Sequence, residues 1–235
     1  MAEKILISGA GRGLGFALVG CFLQAGFHVF AGEHRPSPGL TGLGGQFPEA
    51  LSVIPLDVTD MDSIRRAVGQ VAAQTSSLDI LLNNAGINLE PGRAALAELD
   101  LADMHLEHTM AVNVFGPLRL SQQCLPLLVS GGRKLIMNIS SEAGSIADCG
   151  RGQEFAYCMS KAALNMQTRL LHNTLDPQGF RVLSVHPGWV QSDMGGPQAT
   201  VPADESAQGI FQLALEGRRS DEAIFVDYRG NALQW

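Results

Sequence analysis

The chain has 235 residues, of which 46% are hydrophobic and 17% charged, with 27 glycines. That length suits one large domain, and the apolar balance excludes an intrinsically disordered chain. A net charge of −7 with no basic run longer than a pair such as Arg65-Arg66 excludes the basic face that nucleic-acid binding needs. In chain order, Ile5–Ile7 reads as a strand, Leu14–Ala25 as a helix and His28–Ala31 as a second strand. His34 to Pro48 is rich in Pro and Gly and too broken for a long helix. Ser52–Leu56 is a third strand, Asp60–Ala73 a helix with Asp60 as its N-cap, and Ile80–Leu82 a fourth strand. Asp103–Leu128 reads as one long helix that Pro117 and Pro126 limit or bend. Leu135–Ile139, Val182–Val185 and Ile224–Val226 are further strands. Tyr157–Leu175 and Ala203–Glu216 are helices between them.

Strands alternating with helices predict a mostly parallel α/β sheet covered on both faces by right-handed crossovers. Ligands of such sheets sit beyond the carboxyl ends of the strands, so informative residues are sought there. No stretch approaches 18 apolar residues, and Met1-Ala-Glu-Lys4 leads into the first strand without a charged and apolar leader. A soluble, cytoplasmic protein without a membrane span is expected. The four cysteines, Cys21, Cys124, Cys149 and Cys158, contain no C-x-x-C pair and read as free thiols. His105 and His108 share a helical face but lack further ligands, so no metal site is expected. No G-x-S-x-G elbow supports a serine hydrolase.

The first strand is followed by Ser8-Gly9-Ala10-Gly11-Arg12-Gly13-Leu14-Gly15. Gly9, Gly13 and Gly15 form a G-x-x-x-G-x-G turn opening a helix. Backbone N–H groups at a helix start favour phosphate, and glycine allows close approach. Glu33 lies 18 residues past Gly15 at the end of the second strand. An acid there accepts a hydrogen bond from a ribose 2′-OH and repels a 2′-phosphate; read blandly, it is a solvated loop charge. Arg12 and Arg35 pull the other way, because either can meet a 2′-phosphate. The balance leans to NAD over NADP.

Tyr157 and Lys161 are four apart on a helix and so share a face. A free tyrosine is a poor base at neutral pH, and a nearby ammonium lowers its pKa so that it can exchange a proton. Upstream, Asn138-Ile-Ser-Ser141 closes a strand, and a serine hydroxyl there can bind a substrate oxygen. Asn83-Asn84-Ala85-Gly86 closes the fourth strand. Asn113 is an unfavourable helix-interior residue, suited to bending the helix or holding a water near Lys161.

Together with Asp57-Val58 and Pro187-Gly188, these motifs occur in the order found in the short-chain dehydrogenase/reductase family, which the chain resembles along almost its whole length. His186-Pro-Gly-Trp-Val190, Ser192-Asp-Met-Gly-Gly196 and Phe225-Val-Asp-Tyr…Trp235 are similar to the sniffer-like carbonyl reductases and the C-factor (C-signal) proteins. The resemblance implies a single Rossmann-type domain, 1–235, with a doubly wound, mostly parallel seven-stranded sheet and a substrate pocket built by its C-terminal third. It implies an NAD(P)(H)-dependent oxidoreductase interconverting a carbonyl and an alcohol. Ser8 to Gly15, including Gly11, Arg12 and Leu14, would cradle the dinucleotide phosphates. Asp57 and Val58 would meet the adenine, and Asn83, Ala85 and Gly86 the adenosine side. Tyr157 would be the acid/base, with Lys161 lowering its pKa and binding the ribose. Asn113 would carry a proton-relay water, and the second serine of the pair, Ser141, would polarise the substrate. Pro187, Gly188 and Val190 would pack on the nicotinamide, and Ser192 would reach its amide.

Ser8 and Ser192 stand where the family usually has Thr. The Ser141–Tyr157 interval is slightly long, which implies a short insertion near Cys149–Gln153 that shapes the substrate pocket. The resemblance also implies a homodimer or homotetramer paired through Asp103–Leu128 and Tyr157–Leu175, acting on a small-molecule carbonyl or alcohol. The C-factor likeness leaves a second reading open: a dinucleotide-binding signalling or scaffold protein with little catalysis.

Overall fold

In a computed structural model of the chain, residues 2–89, 96, 105–217 and 223–235 are described. The strands are β1 (Lys4–Ser8), β2 (His28–Glu33), β3 (Leu51–Pro55), β4 (Ile80–Asn83), β5 (Leu135–Ile139), β6 (Arg181–His186) and β7 (Phe225–Asp227). The helices are α1 (Gly13–Gln24), α2 (Pro38–Gln46), α3 (Met61–Gln74), α4 (His105–Met110), α5 (Gly116–Val129), α6 (Phe155–Leu175) and α7 (Ala203–Leu215). All seven strands run parallel in one sheet of order β3-β2-β1-β4-β5-β6-β7. The chain winds outward from β1 to β3, then crosses back to β4, so the winding reverses between β1 and β4. A crevice opens there at the carboxyl ends of the strands.

Strand residues alternate between the two faces. Ile5, Ile7, Ile80, Leu82, Leu135 and Met137 point to one core, with Leu18 and Phe22 of α1, Leu40 of α2 and Ile210 of α7. Leu6, Leu81 and Ile136 point to the other, with Ile64 and Val71 of α3, Leu120 and Cys124 of α5 and Leu175 of α6. Phe22 is clamped edge-on between Phe27 and Phe211, at centroid distances of 5.1 and 5.0 Å. Asp60 caps α3 as expected, its side chain accepting from the Asp62 N–H. Among the described residues no helix is long and apolar enough to cross a membrane.

Two segments differ from their sequence pattern. A nine-residue helix, α2, forms within the Gly-rich stretch. Ser37 caps it by accepting from the Leu40 N–H at 3.1 Å, and Pro38 occupies its first turn, where the missing N–H costs nothing. The expected helix 103–128 is instead α4, a π-helical turn over Ala111–Phe115, and α5; positions 103 and 104 lie outside the described residues. Pro117 falls in the first turn of α5 and Pro126 lies inside that helix.

Candidate active site

The turn after β1 has a shape only glycine tolerates. Gly9 and Gly13 sit at φ +65° and +52°, conformations costly for other residues. A Cβ on Gly15 would lie 2.2 Å from the Gly9 carbonyl oxygen. Arg12 precedes α1 without a side-chain cap hydrogen bond, so no cap satisfies the first-turn N–H groups. Leu14 packs into the core beneath. The Ser8 hydroxyl accepts from the N–H groups of Asn84 and Ala85, both at 3.1 Å. The Asn84 side chain donates to the Ser8 and Gly9 carbonyls, both at 3.0 Å. Ser8 and Asn84 thus weld the ends of β1 and β4 under the turn.

Glu33 ends β2 and accepts from the Ser37 N–H at 2.9 Å. Its carboxylate lies 3.7 Å from where a Gly11 Cβ would stand. Arg12 pairs with Asp193 at 2.6 Å across the crevice, both side chains exposed, while Arg35 is exposed beyond β2. Asp57 follows β3 and accepts from the Thr59 N–H and hydroxyl at 2.8 and 2.7 Å. Burial works to raise its pKa, but the Thr59 hydrogen bonds and the nearby His34 outweigh this and hold it below the usual carboxylate value. Val58 is buried against Gly116 at the start of α5. Asn83 turns inward, donating to Ser121 at 3.1 Å and Asn138 at 2.8 Å.

Asn113 sits in the π-helical turn, fully buried. Its amide oxygen accepts from the Ile87 N–H and its nitrogen donates to the Ile87 carbonyl, both at 2.8 Å, and to Ser160 at 3.0 Å. The side chain therefore clamps the loop after β4 to α6, and both of its N–H donors are used. A Cβ on Gly86 would stand 3.4 Å from the Asn113 oxygen and 3.5 Å from the Lys161 ammonium, so glycine keeps the space between them open.

Of the two serines after β5, Ser140 turns inward to Asn165 at 2.7 Å. Ser141 is hydrogen-bonded to the Tyr157 hydroxyl, caps the turn Glu142–Gly144 and donates to Glu142 Oε2 at 2.6 Å. Lys161 is buried, donates to the Ile139 carbonyl at 2.9 Å and lies 5.6 Å from the centre of the Tyr157 ring. Desolvation lowers the Lys161 pKa to about 8. The expected fall in the Tyr157 pKa does not occur in the protein alone. Burial pushes it up to about 12; the Ser141 hydrogen bond opposes this, and the Glu142 and Glu154 carboxylates add to it. One Lys161 N–H is committed to the Ile139 carbonyl, and the ammonium stands beside the Tyr157 ring.

The loop after β6 closes the crevice. Gly188 takes φ +81°, and a Cβ there would lie 2.9 Å from Val201. The Pro187 carbonyl accepts from Ser206 at 2.6 Å. Val190 is buried and bridges to Val201. Ser192 accepts from the Gly195 N–H at 3.2 Å, and its Cβ is 3.3 Å from a Gly13 Cβ position. Asn113, Ser141, Tyr157, Lys161 and Gly86 are thus gathered beyond β4 and β5. Ser192 stands against Gly13 of the glycine turn and its neighbour Asp193 pairs with Arg12, while the side chains of Asn83 and Val58 point into the interior.

Sequence reasoning assigned no role to Glu142, Arg151 and Glu154. Arg151, in the loop before α6, bridges the carboxylates of Glu142 and Glu154. Glu154 holds a left-handed conformation at φ +60° and accepts from Asn88 at 2.9 Å. The only signal for this group was the long Ser141–Tyr157 interval.

Comparison with known proteins agrees with this geometry. Residues 3–201 match the sequence profile of the family described as short chain dehydrogenase. The C-signal protein of Myxococcus xanthus is 41% identical over 163 residues, covering 68% of this chain and 95% of that protein. Carbonyl reductase Sniffer of D. melanogaster superposes with a TM-score of 0.90 at 32% identity, covering all of both chains. An NADPH-bound carbonyl reductase from chicken fatty liver superposes with a TM-score of 0.88 at 33% identity, over 100% of this chain and 99% of that one. The profile match over most of the chain and the full-length superpositions show the family: the chain belongs to the short-chain dehydrogenase/reductase family.

Proposed function

We propose that this protein is an NAD(P)(H)-dependent oxidoreductase that interconverts an aldehyde or ketone with an alcohol, with Tyr157 as acid/base. The observation that carries the reading is the meeting of Ser141, Tyr157 and Lys161 beside the glycine turn, at the carboxyl ends of β1, β4 and β5. The residues present fit a dinucleotide: the uncapped start of α1 suits phosphate, and Gly86 leaves room beside Lys161. A bound nicotinamide supplies or accepts the hydride. In reduction Tyr157 gives its proton to the carbonyl oxygen, and Ser141 stabilises the charge growing on that oxygen. The Lys161 ammonium, close to the ring, stabilises the tyrosinate left behind.

Glu33 supports NAD(H), because its carboxylate repels a 2′-phosphate. The chicken carbonyl reductase carries NADPH, which argues the other way. Calorimetric titration with NADH and NADPH decides: preference for NADH assigns the ribose to Glu33, and preference for NADPH moves that role to Arg12 or Arg35. Failure of both to bind removes the oxidoreductase reading. Turnover of a carbonyl panel then tests Tyr157: Tyr157→Phe is expected to lose at least about a hundredfold in kcat while binding cofactor, and full activity would remove Tyr157 from its role.

The likeness to the C-signal protein favours a second reading, a signalling role resting on dinucleotide binding. A biological effect retained by a Tyr157→Phe, Lys161→Ala double variant would favour it over catalysis. Exposed apolar residues on the outer faces of α5 and α6, Leu118, Met159, Met166 and Leu170, support pairing of copies through these helices.

A further inference from the structure

The proton of Ser141 has two claimants. Glu142 Oε2 stands 2.6 Å from the Ser141 oxygen, and the Tyr157 hydroxyl is hydrogen-bonded to the same Ser141. One hydroxyl carries one proton, and a carboxylate is a stronger acceptor than a neutral phenol. With no substrate oxygen to receive it, the Ser141 proton therefore goes to Glu142. The Ser141 lone pairs serve the Ala143 N–H at 3.1 Å and the Tyr157 O–H.

The surroundings hold Glu142 ionised and in place. Burial works to raise its pKa, but the hydrogen bonds from Ser141 and Arg151 and the nearby His186 outweigh this and keep it below the usual carboxylate value. The Arg151 guanidinium bridges it to Glu154, and His186 Nδ1 lies 3.5 Å from Glu142 Oε2. The charged groups facing this cluster come from every neighbouring element. Glu142 comes from the turn after β5, Arg151 and Glu154 from the loop before α6, and Lys161 from α6. His186 comes from the end of β6, with Asp227 of β7 behind it. None of the roles described above for Tyr157 and Lys161 uses Glu142.

We propose that Glu142 is a positioning residue: by taking the Ser141 proton it makes Ser141 an acceptor toward Tyr157 and keeps Tyr157 protonated, as carbonyl reduction requires, through neutral and alkaline pH. Only the use made of that proton rests on the oxidoreductase reading; the protonation state of Tyr157 does not. In each reductive turnover the O–H bond of Tyr157 breaks and a new O–H bond forms on the substrate oxygen. The tyrosinate then recovers a proton from water. Burial is the largest cause of the upward displacement of Tyr157 and the Glu142 carboxylate adds to it; a Ser141 proton donated to Tyr157 would oppose both.

The chain has two tyrosines, Tyr157 and Tyr228, so protein labelled with ¹³C at tyrosine Cζ gives two resonances, assigned with Tyr157→Phe. Between pH 6 and 10.5 the wild-type Tyr157 signal is expected to stay flat. In Glu142→Gln it is expected to begin titrating, its midpoint lower by roughly one pH unit. Arg151→Ala, a partly exposed side chain, leaves the Glu142 charge uncompensated and is expected to keep the signal flat. A general loosening of the site would instead move both variants alike. In turnover, the alkaline fall of reductive kcat/KM should begin roughly one pH unit lower in Glu142→Gln. A shifted titration without turnover on any carbonyl sustains the role of Glu142 and removes the oxidoreductase reading. Turnover with the same Tyr157 titration in wild type and Glu142→Gln overturns the role of Glu142 and leaves that reading standing.

Discussion

Lys161 costs the fold stability, and replacing it with methionine should show how much. It is 5% exposed, and desolvation takes its pKa from 10.5 to about 8. At pH 7 the folded protein holds an ammonium that its surroundings disfavour, a penalty of about 3 kcal/mol at about 1.4 kcal/mol per pH unit. Met is of similar length and pays no such penalty, but it orphans the Ile139 carbonyl that Lys161 donates to, costing about 1 kcal/mol. Lys161→Met is therefore expected to be more stable at pH 7 by about 2 kcal/mol, raising Tm by roughly 4–8 °C. The pH dependence has a definite sign. Between about pH 8 and 10.4 the unfolded chain keeps the lysine proton that the folded state has released, so wild-type stability gains from this residue as pH rises. Cys124, whose thiol burial pushes up to about 12, slopes the other way above about pH 8.5. The diagnostic quantity is thus the difference between the two proteins. Urea denaturation followed by circular dichroism at pH 7 and pH 10 measures it: the advantage of the variant should shrink toward pH 10. A variant less stable than wild type at pH 7 by more than about 1 kcal/mol would refute the desolvation argument.

Asn113→Ala removes the partners of the Ile87 N–H and carbonyl and of Ser160. It is expected to cost about 2–4 kcal/mol, a fall in Tm of roughly 4–16 °C by differential scanning calorimetry; a loss under about 1 kcal/mol would mean that water replaces the amide. Leu170→Glu, at a position 58% exposed on α6, should reduce oligomer size in light scattering with no loss of helical signal; an unchanged mass would place the subunit contact elsewhere. Gly15→Ala sets a methyl 2.2 Å from the Gly9 carbonyl and should weaken dinucleotide binding at least tenfold in calorimetry, with wild-type affinity disproving the close-approach argument.

Much of the architecture was legible from local patterns. Apolar runs spaced by amphipathic segments located every strand of the sheet, because strands buried on both faces read as short apolar runs. Asp60 announced the start of α3 because an N-cap works through its own next residues. The π-helical turn around Asn113 was less legible. An asparagine in a helix interior signals irregularity, but the partners that hold this one, Ile87 and Ser160, come from other segments. Helix α2 was understated because the Gly-rich composition hid its Ser37 cap and its Pro38 start.

The residues gathered at the site follow the same division. Tyr157 and Lys161 share a face by helical spacing alone, and the glycine turn declares itself by its order after a strand. Their order and types are properties of the sequence by itself. Which protonation states they hold is not, because a pKa depends on desolvation and on charges brought from elsewhere in the chain. Only the tertiary structure buries Tyr157 with Glu142 and Glu154 close by, and so raises its pKa where a fall was expected. Only it turns Ser140 inward and Ser141 toward Tyr157. Spacing along one element is written in the chain; proximity between elements exists only after the sheet has closed and excluded water from the groups beneath it.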